Sequence, residues 1–242
     1  MSIPISVALP KWAFPVAVKI SELRYPHFQN RFKNNKIRIF HNNESYKDHV
    51  ESIMGYLGDI ACAIFLGIDP KKILIDMILS TDCLIHRDEC DLNFNNCNID
   101  VKIEDYDGWQ NKVLNGTIKY GDPYGCRLIN KGQWKENGEN IDIYVFGAFD
   151  YPFSENFKMN NAKNINLIGF IEKKNAAKYP FSSKTPANKI LPTPAKIIPN
   201  SDLEDMSHLK NVVDCGRNYY EKSSNRNNPA CIAIIKELNK IW

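Results

Sequence analysis

The chain has no apolar run approaching the roughly 20 residues that a bilayer-crossing helix needs, so nothing in it reads as a membrane span. It has no Walker A loop and no glycine-rich dinucleotide fingerprint, which excludes the usual means of holding ATP or a nicotinamide cofactor. Its five histidines, His27, His41, His49, His86 and His208, form no recognisable catalytic grouping or HNH pattern. The N-terminal MSIPISVALPKWAFPVAV lacks a basic start and is interrupted by prolines and Lys11, so it does not read as a signal peptide. No internal repeat occurs. The chain has 242 residues, 43% of them hydrophobic and 24% charged, which suits one folded α/β core with additions and not a disordered segment.

Seven scattered cysteines are an odd number, and with no export signal they read as reduced thiols in a cytoplasm. No paired C-x2-C is present. Cys83, His86, Cys90 and Cys97 are spaced C-x2-H-x3-C-x6-C. Four such N/S donors could hold a structural zinc, and buried free thiols are the other reading of the same residues.

The net charge of +3 says little, but its distribution says more. Residues 43–107 carry 14 acids against 5 basic residues, whereas residues 156–198 carry eight lysines and only Glu172. Residues 24–38 carry Arg24, Arg31, Lys33, Lys36 and Arg38 with no acid. An acidic centre between basic flanks suits a protein that holds a cation and a polyanion together. Unevenly charged solvated surface is the bland alternative.

Four prolines make residues 1–40 read as extended segments and a turn, with a short strand at Lys36–Phe40. Apolar residues at spacings of three and four from Val50 to Phe65 predict a helix over about 44–66, closed by Gly67. Asp69-Pro70 opens a second, to about Leu79. Residues 83–94 and 98–103 read as strands around a turn at Asn95–Asn98. The glycine-rich 104–140 reads as irregular. Strands follow at 141–149 and 164–171, then a basic helix from about Glu172. The proline-rich 180–200 reads as a loop or linker, and a final helix covers about 229–241. The order predicts a mixed central sheet flanked by helices in a single α/β domain, with its core at about 44–176.

Ile99-Asp100-Val101-Lys102-Ile103 alternates strictly, so Asp100 and Lys102 share one face and the three apolar residues the other. The preceding turn brings Asp91 back toward Asp100. Two nearby carboxylates repel unless a cation lies between them. Hard divalent ions such as Mg²⁺ prefer such oxygens and keep several waters, and a lysine alongside could serve an attacking water or the developing charge. The bland alternative for Asp100 and Lys102 is an exposed strand ion pair.

Asp91, eight intervening residues, then Ile99-Asp100-Val101-Lys102 resembles the signature of the PD-(D/E)xK, or restriction-endonuclease-like, nuclease superfamily. Asp91 matches the family's first acid, Asp100 the D/E and Lys102 the K. Cys90 stands where the eponymous proline would be. The upstream Gly58-Asp59 is similar to the family's helical Gly-Glu pair, and Glu51, two turns earlier, is the rival acid. The resemblance covers about residues 44–105 well and the later strands less specifically.

The resemblance implies a Mg²⁺-dependent endonuclease that hydrolyses phosphodiester bonds of double-stranded DNA, in a restriction, phage or mobile-element setting. Asp91, Asp100 and Asp59 would serve the metal and Lys102 the water or the developing charge. A homodimer would suit palindromic sites. Candidate nucleic-acid contacts are Lys119, Arg127, Lys131 and Gln133, with Lys173 and Lys174 of the later basic segment. Arg31 and Lys33 join them, interleaved with Tyr25, Phe28 and Phe32. A catalytically silent binding module on the same fold, or a structural or regulatory α/β protein, are the alternatives.

Overall fold

The computed structural model describes residues 4–34, 44–80, 91–104, 126–136, 140–149, 163–186, 188, 190–212 and 227–242, with no side chains described for 24–34, 44–51 and 80. The chain divides into two compact units, one of Met1–Val7 with Glu89–Tyr219 and one of Ala8–Asp88 with Tyr220–Trp242. Among the described residues, no helix is long and apolar enough to cross a membrane.

The second unit is helical. Helix α1 spans Ala13–Asn34, α2 Glu44–Leu66 and α3 Pro70–Ser80. Helix α1 replaces the extended reading of this region. Pro15 sits in its first turn, where a missing N–H costs little, and Ala13, Val16, Ala17 and Ile20 recur at helical spacing and are fully buried. The strand expected at Lys36–Phe40 and the residues Cys83, His86 and Cys90 lie outside the described residues. Helix α2 has the predicted bounds, and all of Tyr56–Ala63 is buried, so no polar face remains on that stretch. It ends at Gly67, whose φ of 77° permits the reversal in which the Ile68 N–H donates to the Ala63 carbonyl. Asp69 then caps α3, accepting from the Lys71 N–H, with Pro70 in the first turn.

The first unit holds two sheets. The five-stranded sheet takes β1 (Ile5–Ala8), β2 (Leu92–Phe94), β3 (Cys97–Glu104), β5 (Ile143–Phe149) and β6 (Asn164–Glu172) in the order β1-β6-β5-β3-β2. It is mixed: β3 pairs parallel with β5, while β2–β3 and β5–β6 are antiparallel. The protein is thus of mixed α/β class. Asn95 and Asn96, at φ of 50° and 57°, form the turn between β2 and β3, the left-handed pair that matches hairpin twist and that asparagine tolerates.

The second sheet has the order β4-β8-β7, from β4 (Cys126–Asn130), β8 (Ile190–Pro199) and β7 (Phe181–Lys184). Two expectations are corrected here. Residues 104–140 contain β4 and the short helix α4 (Lys131–Glu136), and the proline-rich 180–200 is mostly sheet. Ile197 and Ile198 pair with β4, while Pro192 and Pro194 lie before β8's pairing with β4 begins at Ala195. Pairing with β7 is irregular at the same place. The prolines therefore occupy the stretch where a missing N–H breaks the fewest rungs. The basic helix expected from Glu172 is a single turn, α5 (Lys173–Ala176).

Tyr144, Phe146 and Ala148 of β5 and Ile168 and Ile171 of β6 pack with Ile129 of β4, Ile198 of β8 and Leu203 in one buried core. Trp134 of α4 lies against it, stacked on Tyr144 at 6.0 Å between ring centroids. Residues 200–204 lie over β6, where the Phe170 N–H donates to the Glu204 carbonyl and the Glu204 N–H to that of Phe170. The last helices are α6 (Met206–Leu209) in this unit and α7 (Pro229–Leu238) in the helical one, the latter capped by Asn228. Cys97 and Cys231 are each half of a disulfide, whereas Cys62 and Cys126 are in none, which corrects the expectation of reduced thiols throughout.

Gly169 leaves no room for a side chain. A Cβ there would meet the Glu204 carbonyl oxygen at 2.8 Å and Leu203 Cβ at 2.9 Å. Gly147 would meet only the flexible end of Ile103 at a comparable distance, 2.8 Å, its next contacts being looser. Gly169→Ala should lower stability by about 1–3 kcal/mol and Gly147→Ala by less, read as shifts of the urea midpoint.

Candidate functional site

Strand β3 has the alternation expected from its sequence. Ile99 and Val101 are buried, while Asp100 and Lys102 are half-buried on the opposite face. The parallel register sets Asp100 beside Tyr144, Lys102 beside Phe146 and Glu104 beside Ala148. The polar side chains thus share a face with the buried core under the second sheet, at the margin where that cover ends.

The Lys102 ammonium donates to Asp100 Oδ1 at 2.5 Å, with the two side chains 21% and 14% exposed. That exposure is low enough for the pair to interact more strongly than a surface pair in bulk water. Asp91 lies where β2 begins. Its N–H donates to the Ile99 carbonyl, and its carboxylate accepts from the Val101 N–H at 2.6 Å. The structure therefore brings Asp91 to the peptide between Asp100 and Lys102. It also shows a structural task for Asp91, which supplies a charged acceptor where the β2–β3 ladder stops.

Glu104 continues the same face and forms an ion pair with Arg127 of β4, which also donates from Nε to Asn200 at 3.0 Å. Arg127 is buried, so its charge is directed inward, bridging the two sheets, and not toward a polyanion. Lys196 is buried as well. It lies 4.4 Å from the Trp134 ring centroid and 4.7 Å from that of Phe181, and donates to the carbonyls of Ala177 and Tyr179. Burial lowers its pKa.

Of the other candidate contacts, Lys131 is exposed, and its ammonium is 5.8 Å from the Phe181 ring centroid. Lys173 and Gln133 are half-buried, Lys173 lying 5.9 Å from the Trp134 ring centroid. Lys174 is exposed and paired with Glu172 at 2.6 Å. Lys119 lies outside the described residues. Arg31 and Lys33 are on α1, and their side chains, like that of Glu51 on α2, are outside what is described. Asp59 is 6% exposed within α2 and belongs to the helical unit. The zinc reading loses a ligand, because the Cys97 sulfur is engaged in its disulfide.

Among the described residues, no group of three or more His, Cys, Asp or Glu is gathered for a metal. Two carboxylates flanking one peptide nevertheless suit Mg²⁺, which is commonly held through one or two acids and otherwise by water. A cleft of about 750 Å³ elsewhere in this unit is lined by Asp142, Glu172, Lys173, Glu204 and His208 among others, but by none of Asp91, Asp100 and Lys102.

Sequence reasoning missed Tyr144. Its hydroxyl is buried without a hydrogen-bond partner among the described residues, and burial, then the Asp100 charge, push the phenol well above its ordinary pKa. No local signal identifies it, since only the β3–β5 register sets it beside Asp100. No protein-family model matches the chain, and no curated protein or solved structure matches it.

Two outcomes are expected. Asp91→Ala should cost about 1.5–3 kcal/mol in urea unfolding by stranding the Val101 N–H, while Asp91→Asn, which keeps an acceptor, should cost less. Tyr179 is pushed up to about 12 by burial and by its 2.5 Å hydrogen bond to Asp202. Because the folded value lies above the unfolded value near 10, its contribution is complete below pH 10 and is lost as pH rises through 12. The difference in melting temperature between wild type and Tyr179→Phe should shrink over that window. A flat difference would show that this titration is not linked to folding.

Proposed function

We propose that this chain is a Mg²⁺-dependent endonuclease of restriction-endonuclease-like type acting on double-stranded DNA. The observation that carries the reading is the convergence at β3: Asp100 and Lys102 are joined on one half-buried face, and Asp91 is hydrogen-bonded to the peptide between them. A random D-x-K on an exposed strand would have neither the second carboxylate nor the partial burial that strengthens charge interactions.

In this reading Asp91 and Asp100 hold the metal. A bound Mg²⁺ would supply Lewis-acid polarisation of the scissile phosphate and acidified water. Asp91 keeps its carboxylate oriented through the Val101 N–H. Lys102 leaves Asp100 to orient the attacking water or offset charge developing on the phosphate. Lys131, Gln133, Lys173 and Lys174 are the described candidates for gripping the DNA backbone, and a symmetric dimer would suit a palindromic site.

The engagement of Asp100 by Lys102, and of Asp91 by backbone, favours one second reading: a catalytically silent DNA-binding module with the same residues in structural roles. Supercoiled plasmid incubated with Mg²⁺, with EDTA, and with the Lys102→Ala and Asp100→Asn proteins separates the two. The nuclease reading expects metal-dependent nicking or linearisation that falls by about 10²–10⁴-fold in either variant, with DNA binding by Lys102→Ala retained. Salt-dependent DNA binding without cleavage would establish the silent module. Cleavage undiminished in both variants would remove β3 from the active site.

A further inference from the structure

Tyr144 carries the further inference, which rests on the nuclease reading of β3. A buried tyrosine hydroxyl normally has a partner, because an unsatisfied buried donor keeps the full cost of leaving water. The Tyr144 hydroxyl has none among the described residues, although its ring is fully enclosed and stacked on Trp134. Its neighbour across the parallel register is Asp100, on the same face of the sheet. Asp100 is itself held by Lys102. The Asp100 carboxylate therefore has two donors beside it, of which Lys102 is engaged and Tyr144 idle.

We propose that Tyr144 is a positioning residue for Asp100: when Lys102 turns to a bound phosphate or its water, Asp100 rotates to accept from the Tyr144 hydroxyl. Asp100 then stays oriented for the cation while its lysine is occupied elsewhere, and no buried donor is left idle in the working state. Trp134 holds the ring that presents the hydroxyl. The groups around it are the Asp100–Lys102 pair and the apolar core of β4, β6 and β8. Among the described residues, Asp100 is the charged side chain whose field acts on the hydroxyl.

The test uses full-length wild type and Tyr144→Phe. Mg²⁺ affinity is measured by calorimetry, and plasmid cleavage as kcat and KM separately. The expected result is a Mg²⁺ affinity weaker by about 10–100-fold, the usual effect of removing a group that orients a metal ligand. The loss should fall on kcat at subsaturating metal and be relieved by excess Mg²⁺, with the melting temperature unchanged or raised. Wild-type Mg²⁺ affinity in Tyr144→Phe together with a raised melting temperature would overturn the proposal and mark the hydroxyl as an orphan of packing.

A second measurement does not depend on metal. In urea unfolding, Tyr144→Phe should be neutral or stabilising beside Lys102 and destabilising in the Lys102→Ala background, where the hydroxyl has taken over Asp100. Additive midpoints would overturn the exchange of donors. If wild type neither binds Mg²⁺ nor cuts DNA but the midpoints are non-additive, the nuclease reading fails while the Asp100–Tyr144 contact stands.

Discussion

The parallel pairing of β3 with β5 is the constraint on which the candidate site depends. Parallel strands cannot be joined by a tight turn, so the chain must leave the sheet after Glu104 and return at Ile143. The intervening residues include β4 and α4, which lie over the face of β5 and β6 that needs cover. The same crossover that makes the pairing possible thus supplies Ile129, Trp134 and Arg127 to the region beside Asp100 and Lys102. Register does the rest, because residues opposite one another on paired strands share a face, and Tyr144 and Phe146 flank the acid and the lysine.

The graded cover over that face sets the electrostatics. Tyr144 and Phe146 are fully buried, Asp100 and Lys102 are half-buried, and the more exposed Glu104 is tied back to the second sheet by Arg127. Two opposite-charge pairs therefore lie along one strand face at the rim of an apolar core. Charges there interact more strongly than in water and still reach solvent. Arg127 and Lys196 show the opposite use of positive charge. Arg127 is consumed by Glu104 and Asn200, and Lys196 by two carbonyls and two aromatic rings, so both tie the small sheet down from within.

Much of the local structure was legible because its signals act over short range. The bounds of α2, the Gly67 stop, the Asp69-Pro70 start, the asparagine hairpin and the in–out alternation of β3 follow from backbone stereochemistry and periodicity. Proline misled in two places. Prolines in and near α1 suggested extended chain, yet Pro15 falls in the first turn. Pro192 and Pro194 suggested a linker, yet they occupy a part of β8 not yet paired with β4. At Pro15, Pro192 and Pro194 the cost of a missing N–H depends on whether that position needed a donor, which composition alone does not say, whereas Pro26 stands inside α1 against its local preference. The disulfides at Cys97 and Cys231 were illegible for the same reason, since a bond between sulfurs depends on separation in space.

By itself, the sequence determined that Asp100 and Lys102 share one strand face, that an apolar set lies behind them, and that Asp91 returns close by through a hairpin. These follow from the two-residue period of a strand and the geometry of a tight turn, both local. Only the tertiary structure decided which charges face outward and which face the core, and what stands beside the acid. Arg127 and Lys196 look in sequence like other basic residues, and Tyr144 looks like an ordinary strand residue. Their roles come from register and burial between segments far apart in the chain, and from the low dielectric that burial creates, neither of which is encoded at a single position.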